Sequence, residues 1–176
     1  VSDDSDPGSL HGRYLTSILE DSDGDLWVGT NKNGISRLKK GQKRFVHYRH
    51  DPDDDSSLSD DTVQAIMEAP DGLLWITTFN GGLNLFDKTT GRFTRYRHSP
   101  DDPDSVASDY LTAICRDALG VIWVAAFKGI LHRIDPGFRK FQTFVHSPGQ
   151  ASTLSRGDFI GSIIEDQDGM VWISSY

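Results

Sequence analysis

Residues suited to holding a polar ligand recur at two places along the chain. One group is Asn31, Phe79, Phe127 and Tyr176, each closing an apolar segment that contains a Trp, with Lys32, Asn80 and Lys128 following the first three. The other is Tyr14, Thr62, Tyr110 and Phe159, preceded by Arg13, Asp61, Asp109 and Asp158. Aromatic rings stack on the apolar face of a sugar while Asn, Asp, Lys and Arg groups take its hydroxyls. The candidate ligand-binding set is therefore Phe79, Asn80, Phe127, Lys128, Tyr176, Asn31, Tyr14, Tyr110 and Asp109. Aromatic side chains also pack at junctions between elements, and that plainer reading of the same rings stands beside the first.

Other reactive residue types give weaker signals. "DSDGD" at residues 21–25 places carboxylates at alternate positions, like the opening of a calcium loop. The equivalent turns read "APDG" and "DALG" and the Glu at the twelfth position is missing, so no metal site is assigned. His50, His98 and His146 recur in "HDP", "HSP" and "HSP", which points to a hydrogen bond that organises the following loop. His11, His47 and His132 stand singly, without a His or Cys at ligand spacing. Cys115 shares its column with Leu19, Met67 and Ile164 and reads as a small buried apolar residue. No nucleophile motif or phosphate-cradling Gly-rich loop is present, so no catalytic residue and no cofactor is assigned.

The elements that must position these residues come from an internal repeat. Trp27, Trp75, Trp123 and Trp172 are spaced by 48, 48 and 49 residues, and Gly24, Gly72, Gly120 and Gly169 keep the same intervals. Leu10, Leu58, Val106 and Leu154 are spaced evenly by 48, which puts the one extra residue near Gly157. The second copy offers four strand-like segments, at residues 62–68, 73–78, 82–87 and 92–98, separated by the tight turns "APDG", "FNGG" and "KTTG". A long acidic stretch, "SPDDPDSVASD", follows the fourth. Three short turns and one long connection describe an antiparallel four-stranded meander, and the connection suits a crossing of roughly 15 Å to the next one. Such a repeat predicts an all-β fold, a β-propeller of four-stranded antiparallel blades.

The repeats run over residues 12–59, 60–107 and 108–156, with a partial one at 157–176, as one fragment of a single propeller domain. Three and a half blades leave sheet faces uncovered. The expected partners of those faces are further blades of the same protein or a second copy of the chain. Because the strands alternate in direction, the turn after each Trp strand and the long connection share one face of the disc, and that face carries the candidate set. A residue type present in every copy serves the blade, so the Trp column is read as structural, with a cost of about 3–5 kcal/mol on truncation to Ala.

Bulk composition narrows the partners. The 176 residues include 26 acidic and 18 basic side chains, for a net charge of -8, which argues against binding a phosphate backbone. No apolar run approaches the ~20 residues of a membrane span, so no membrane contact by this segment is expected. One cysteine precludes an intrachain disulfide.

"AIMEAPDGLLWITTFNGGLNLFD", "SILEDSDGDLWVGTNKNGISRL" and "IIEDQDGMVWISS" resemble the two-component regulator propeller repeat. The linking phrases "YRHDPDDDSSLSDDTV" and "YRHSPDDPDSVASDYL" resemble that family's connections. Ile130, where a second Gly is usual, and Lys39, where Asp87 and Asp135 stand later, depart from the pattern at turns. The resemblance implies a place in the periplasmic sensor region of a hybrid histidine kinase, in some relatives of a diguanylate cyclase, with glycan fragments as the ligands. It implies a sensing segment that is not itself an enzyme. Two alternatives remain at this stage: a lyase or hydrolase acting on a polysaccharide or lactone, and a dimerisation scaffold without a small ligand.

Overall fold

The structure, a computed structural model, describes residues 6–135, 140–148, 150, 153–154, 157 and 159–175. Fourteen strands are present among them, and no helix. β1 (Leu15–Glu20), β2 (Leu26–Thr30), β3 (Ile35–Leu38) and β4 (Phe45–Tyr48) form the first antiparallel sheet, in chain order. β5 (Val63–Glu68), β6 (Leu74–Thr78), β7 (Leu83–Asp87) and β8 (Arg92–Tyr96) form the second. β9 (Leu111–Arg116), β10 (Ile122–Ala126), β11 (Ile130–Ile134) and β12 (Gln142–Phe144) form the third, and β13 (Ile160–Glu165) pairs with β14 (Val171–Ser175). The sheets are successive blades of a β-propeller, and their first strands β1, β5, β9 and β13 are the ones that approach one another. Below, the end of the disc carrying the β2–β3, β6–β7 and β10–β11 turns is the upper rim and the end carrying the β1–β2 type turns is the lower.

Three apolar clusters lie between consecutive blades. Trp27, Ile35, Val63, Leu74 and Phe86 fill the first junction, Leu83, Val106, Leu111 and Ile122 the second, and Ala125, Leu131, Ile160 and Ile163 the third. The column of Ile18, Ile66, Ile114 and Ile163 shows what a neighbouring blade does. Against the preceding blade Ile66 and Ile163 are 9% and 6% exposed and Ile114 is partly buried, whereas Ile18, on the first, is 66% exposed.

Three of the four Trp side chains are braced at the lower turns, and Trp75, with Ala69 in place of the Asp, is the exception. The indole Nε1 of Trp27 donates to Asp21 Oδ2 (2.8 Å), Trp123 to Asp117 Oδ2 (2.9 Å) and Trp172 to Asp166 Oδ2 (2.6 Å). The other oxygen of each Asp accepts two amides of its own turn; for Asp21 these are Asp23 and Asp25. Burial alone would raise the Asp21 carboxyl, but the indole, the Asp25 amide and Lys88 outweigh it and hold it below the usual carboxylate range. "DSDGD" is thus a braced turn whose first carboxylate is engaged by protein donors at both oxygens.

The recurrent histidines organise the long connections as expected. His50, His98 and His146 each donate through Nδ1 to the carbonyl eight residues on, Leu58, Val106 and Leu154, at 2.9, 2.9 and 2.7 Å. The acidic side chains of the connection turn inward on its own amides. Asp51 Oδ1 accepts from Asp53 and Asp54 Oδ1 from Ser56, so the loop's negative charge is in part its own scaffolding.

Candidate functional site

The upper rim is shaped by how β2-type strands turn into β3-type strands. In "TFNGG" the Thr78 amide and hydroxyl both donate to the Gly82 carbonyl, at 3.1 and 2.8 Å, which closes the turn and leaves Phe79 at its start. The Phe79 amide is held by the Thr62 carbonyl (2.9 Å), as the Phe127 amide is by Tyr110 (2.8 Å) and the Asn31 amide by Tyr14 (2.9 Å). The two candidate groups are therefore paired across β1–β2 type hairpins. Gly82 has φ +74°, and a Cβ there would collide with the Tyr96 carbonyl. In the third blade the left-handed positions are Lys128 (φ 67°) and Gly129 (φ 66°), so Ile130 can stand where Gly82 stands in the second.

A cleft of about 590 Å³ opens at the upper end of the junction between the second and third blades. Phe79 enters it from the second blade, and Asp109, Tyr110, Phe127 and Lys128 from the third, with Ser108, Ala107, His98 and Ile130 completing the wall. Phe79 and Tyr110 meet edge to face, with ring centroids 5.5 Å apart, and the arc continues through Phe127 (6.4 Å) to Phe159 (a further 6.4 Å). The rings pack on one another and so do cover the junction. They nevertheless remain 40%, 46% and 41% exposed at Phe79, Tyr110 and Phe127, which leaves area for a ligand to bury.

The polar groups divide into spent and available. Asp109 Oδ1 accepts the His98 amide (2.8 Å), and Asp61 does the same for His50 (2.8 Å), so this column is structural in both blades. Oδ2 of Asp109 has no hydrogen-bond donor among the described residues. Ser108 Oγ accepts the Tyr110 amide (3.1 Å), which leaves its hydroxyl proton to donate. The Lys128 ammonium and the Tyr110 hydroxyl have no ion pair or hydrogen bond among the described residues. Lys128 carries backbone strain of about 1 kcal/mol in its left-handed conformation, at the edge of the cleft.

Five of the nine candidates thus converge. Asn80 lies in the β6–β7 turn beside Phe79 but does not line the cleft. Tyr14 and Asn31 sit together on the first blade, two blades from Phe127, and Tyr14 is 73% exposed. Tyr176 lies outside the described residues. Ser108, Ala107, His98 and Ile130 were not among the candidates; their positions just before Tyr110, at the strand-end His and at the turn's altered Gly column hold the available signal.

Residues 9–32, 57–80 and 154–176 match the family described as Two component regulator propeller. Those three stretches are similar to that family's repeat. The chain's fold agrees: the extracellular domain of a protein described as a hybrid two-component system from B. thetaiotaomicron superposes with a TM-score of 0.73 at 21% identity, over 94% of this chain and 28% of that one. A second such domain from the same organism gives 0.71 at 26% identity, over 93% of this chain and 22% of that one. This chain therefore spans about a quarter of the length of those domains. Virginiamycin B lyase from Staphylococcus aureus shares the fold as well, with a TM-score of 0.63 at 19% identity, over 98% of this chain and 50% of that one. No curated protein matches the chain in sequence.

Proposed function

We propose that these repeats are part of an extracytoplasmic sensing propeller of a two-component signalling protein, and that the cleft between the second and third blades receives its ligand. The sensor role and its location are supported by the family match and by relatives that are extracellular domains of hybrid two-component systems. The observation that carries the binding reading is the cleft itself, where three half-exposed rings stand beside an unpaired ammonium, two hydroxyls and a carboxylate oxygen. That pairing of flat apolar area with short-range donors and acceptors fits a glycan fragment. Ligand binding would signal only through a difference in affinity between two arrangements of the propeller. The segment carries out no reaction in this reading, and the output activity lies elsewhere in the protein. The exposed face of Ile18 and the 60% exposed Trp172 mark the two ends where further blades, of the same protein or of a second copy, are proposed to pack.

A thermal-shift screen against neutral and acidic oligosaccharides tests the binding. A ligand at 100 times its Kd stabilises by about 2.7 kcal/mol and raises the midpoint. Phe79→Ala with Phe127→Ala should remove the shift, read against the variant's own unliganded midpoint, which falls because both rings also pack at the junction. A shift retained in that double variant would place the ligand elsewhere.

A further inference from the structure

The blade junctions are fastened differently at their lower rims. Between the first and second blades, the Ser22 amide and hydroxyl both donate to Glu68, at 2.7 and 2.8 Å. Lys88 Nζ adds contacts to Asp21 (3.1 Å), Asp23 (2.8 Å) and Glu68 (2.9 Å). Between the third and fourth, the Ala118 amide donates to Glu165 Oε2 (2.7 Å). The second-to-third junction has neither half of this fastening. Pro70, which has no N–H, stands where Ser22 and Ala118 do, and Arg116 stands where Glu68 and Glu165 do. Ala69 likewise replaces Asp21 and Asp117. The changes are matched across the seam, so no amide or carboxylate is left orphaned by the loss of its partner.

The upper rim of the same seam is tied. The Gly82 amide donates to the Asp109 carbonyl (3.0 Å), just as Gly34 does to Asp61 (2.9 Å) one junction earlier. Between the rims the contact is apolar, through Leu83, Val106, Leu111 and Ile122 with Met67 and Trp75 against them. Apolar contact is non-directional, so among the described residues small rotations about the upper tie break no hydrogen bond at the lower rim of this seam. At the neighbouring junctions the same rotation pulls on a charge-assisted bond, the stronger and more directional kind.

We propose that the second-to-third junction is the hinge of this propeller, pivoting on Gly82 and Asp109 and opening at the lower rim. Phe79, Asp109 and Tyr110 stand at the pivot, so an occupant of the cleft would act where the angle is set. That consequence rests on the proposed ligand role; the hinge itself does not.

Spin-label distance measurements on the intact protein without ligand, its native cysteines replaced, test the hinge. Labels go at the lower-rim positions Asp71 and Leu119, which straddle the seam, and at Leu119 and Asp168, which straddle the fastened junction. The 71/119 distance distribution should be the broader of the two; equal widths would overturn the hinge. Pro70→Ser with Arg116→Glu, which installs the donor and acceptor of the first junction, should narrow 71/119 to the width of 119/168. A folded double variant with an unchanged width would also overturn it. Glu165→Ala should broaden 119/168, and no change there would remove the fastening argument. Because no ligand enters these measurements, their failure is separate from a failure of the cleft to bind.

Discussion

His132 offers a sharp test of how the blade interior is wired. It lies on β11, is fully buried, and occupies the column filled by Ser36 and Asn84 in the earlier blades. Its Nε2 accepts the Ala107 amide (3.3 Å), and its Nδ1 faces the Thr143 hydroxyl (3.2 Å). The Phe141 ring lies edge-on with centroids 6.0 Å apart, and among the described residues no ion pair compensates an imidazolium there. Burial pushes the imidazole from 6.5 down to about 4. The unfolded chain takes up the proton first as pH falls, so the stability tied to the neutral ring is intact above 6.5 and is lost progressively between 6.5 and 4. The loss amounts to about 2 kcal/mol at pH 5 and 3 kcal/mol at pH 4, relative to pH 7. His132→Asn, chosen after Asn84 whose Oδ1 accepts the Ser59 amide (3.0 Å), keeps an acceptor for Ala107 without a titrating group. Urea unfolding of both proteins at pH 7 and pH 5 should show a pH penalty in the wild type larger by that amount, and NMR should show a neutral His132 ring at pH 5. An imidazole titrating near 6.5, or equal penalties in both proteins, would refute the assigned hydrogen bonding.

Two other sets of substitutions follow from the blade comparison. Asp117→Ala removes the acceptor of the Trp123 indole and of the Leu119 and Val121 amides, and should cost about 2–3 kcal/mol in chemical denaturation. Ala69→Asp restores the same brace beneath Trp75 and should stabilise by about 1 kcal/mol; a loss of stability would show that the second blade's turn cannot accept it. Gly82→Ala and Gly91→Ala both force a side chain into a left-handed backbone, at φ +74° and +72°. Only at Gly82 does the new Cβ meet a backbone carbonyl, so Gly91→Ala should cost about 1 kcal/mol and Gly82→Ala at least 2 kcal/mol, read as midpoint shifts.

The blade was legible in the sequence because its rules repeat. The four-fold column of Trp and Gly located every β1–β2 type turn, and the strands of the second blade lie within about two residues of the expected segments. The role of the "HDP" and "HSP" histidines was legible for the same reason, since three copies imply one shared hydrogen bond. Single residues were less so. His11 and His47 read as isolated, yet their rings stack at 3.7 Å because residue 11 of the connection lies over residue 47 of β4. Which upper-rim aromatics meet was also hidden, because it depends on neighbours across a junction. Thr62 faces Phe79 within the second blade, and it is Tyr110 of the next blade that supplies the second ring. The seam without its lower fastening was written at three separated positions, Ala69, Pro70 and Arg116, whose connection appears only when the sheets are side by side.

Aromatic and side-chain NMR shift mapping, with an oligosaccharide that raises the thermal midpoint, tests the location of the binding site most directly. Signals of Phe79, Tyr110, Phe127 and the Lys128 ammonium should move together and saturate with one Kd, while those of Tyr14 and Trp27 stay in place. Saturating shifts confined to the first blade or to the lower rim, with the Phe79–Tyr110 pair unmoved, would contradict the assignment.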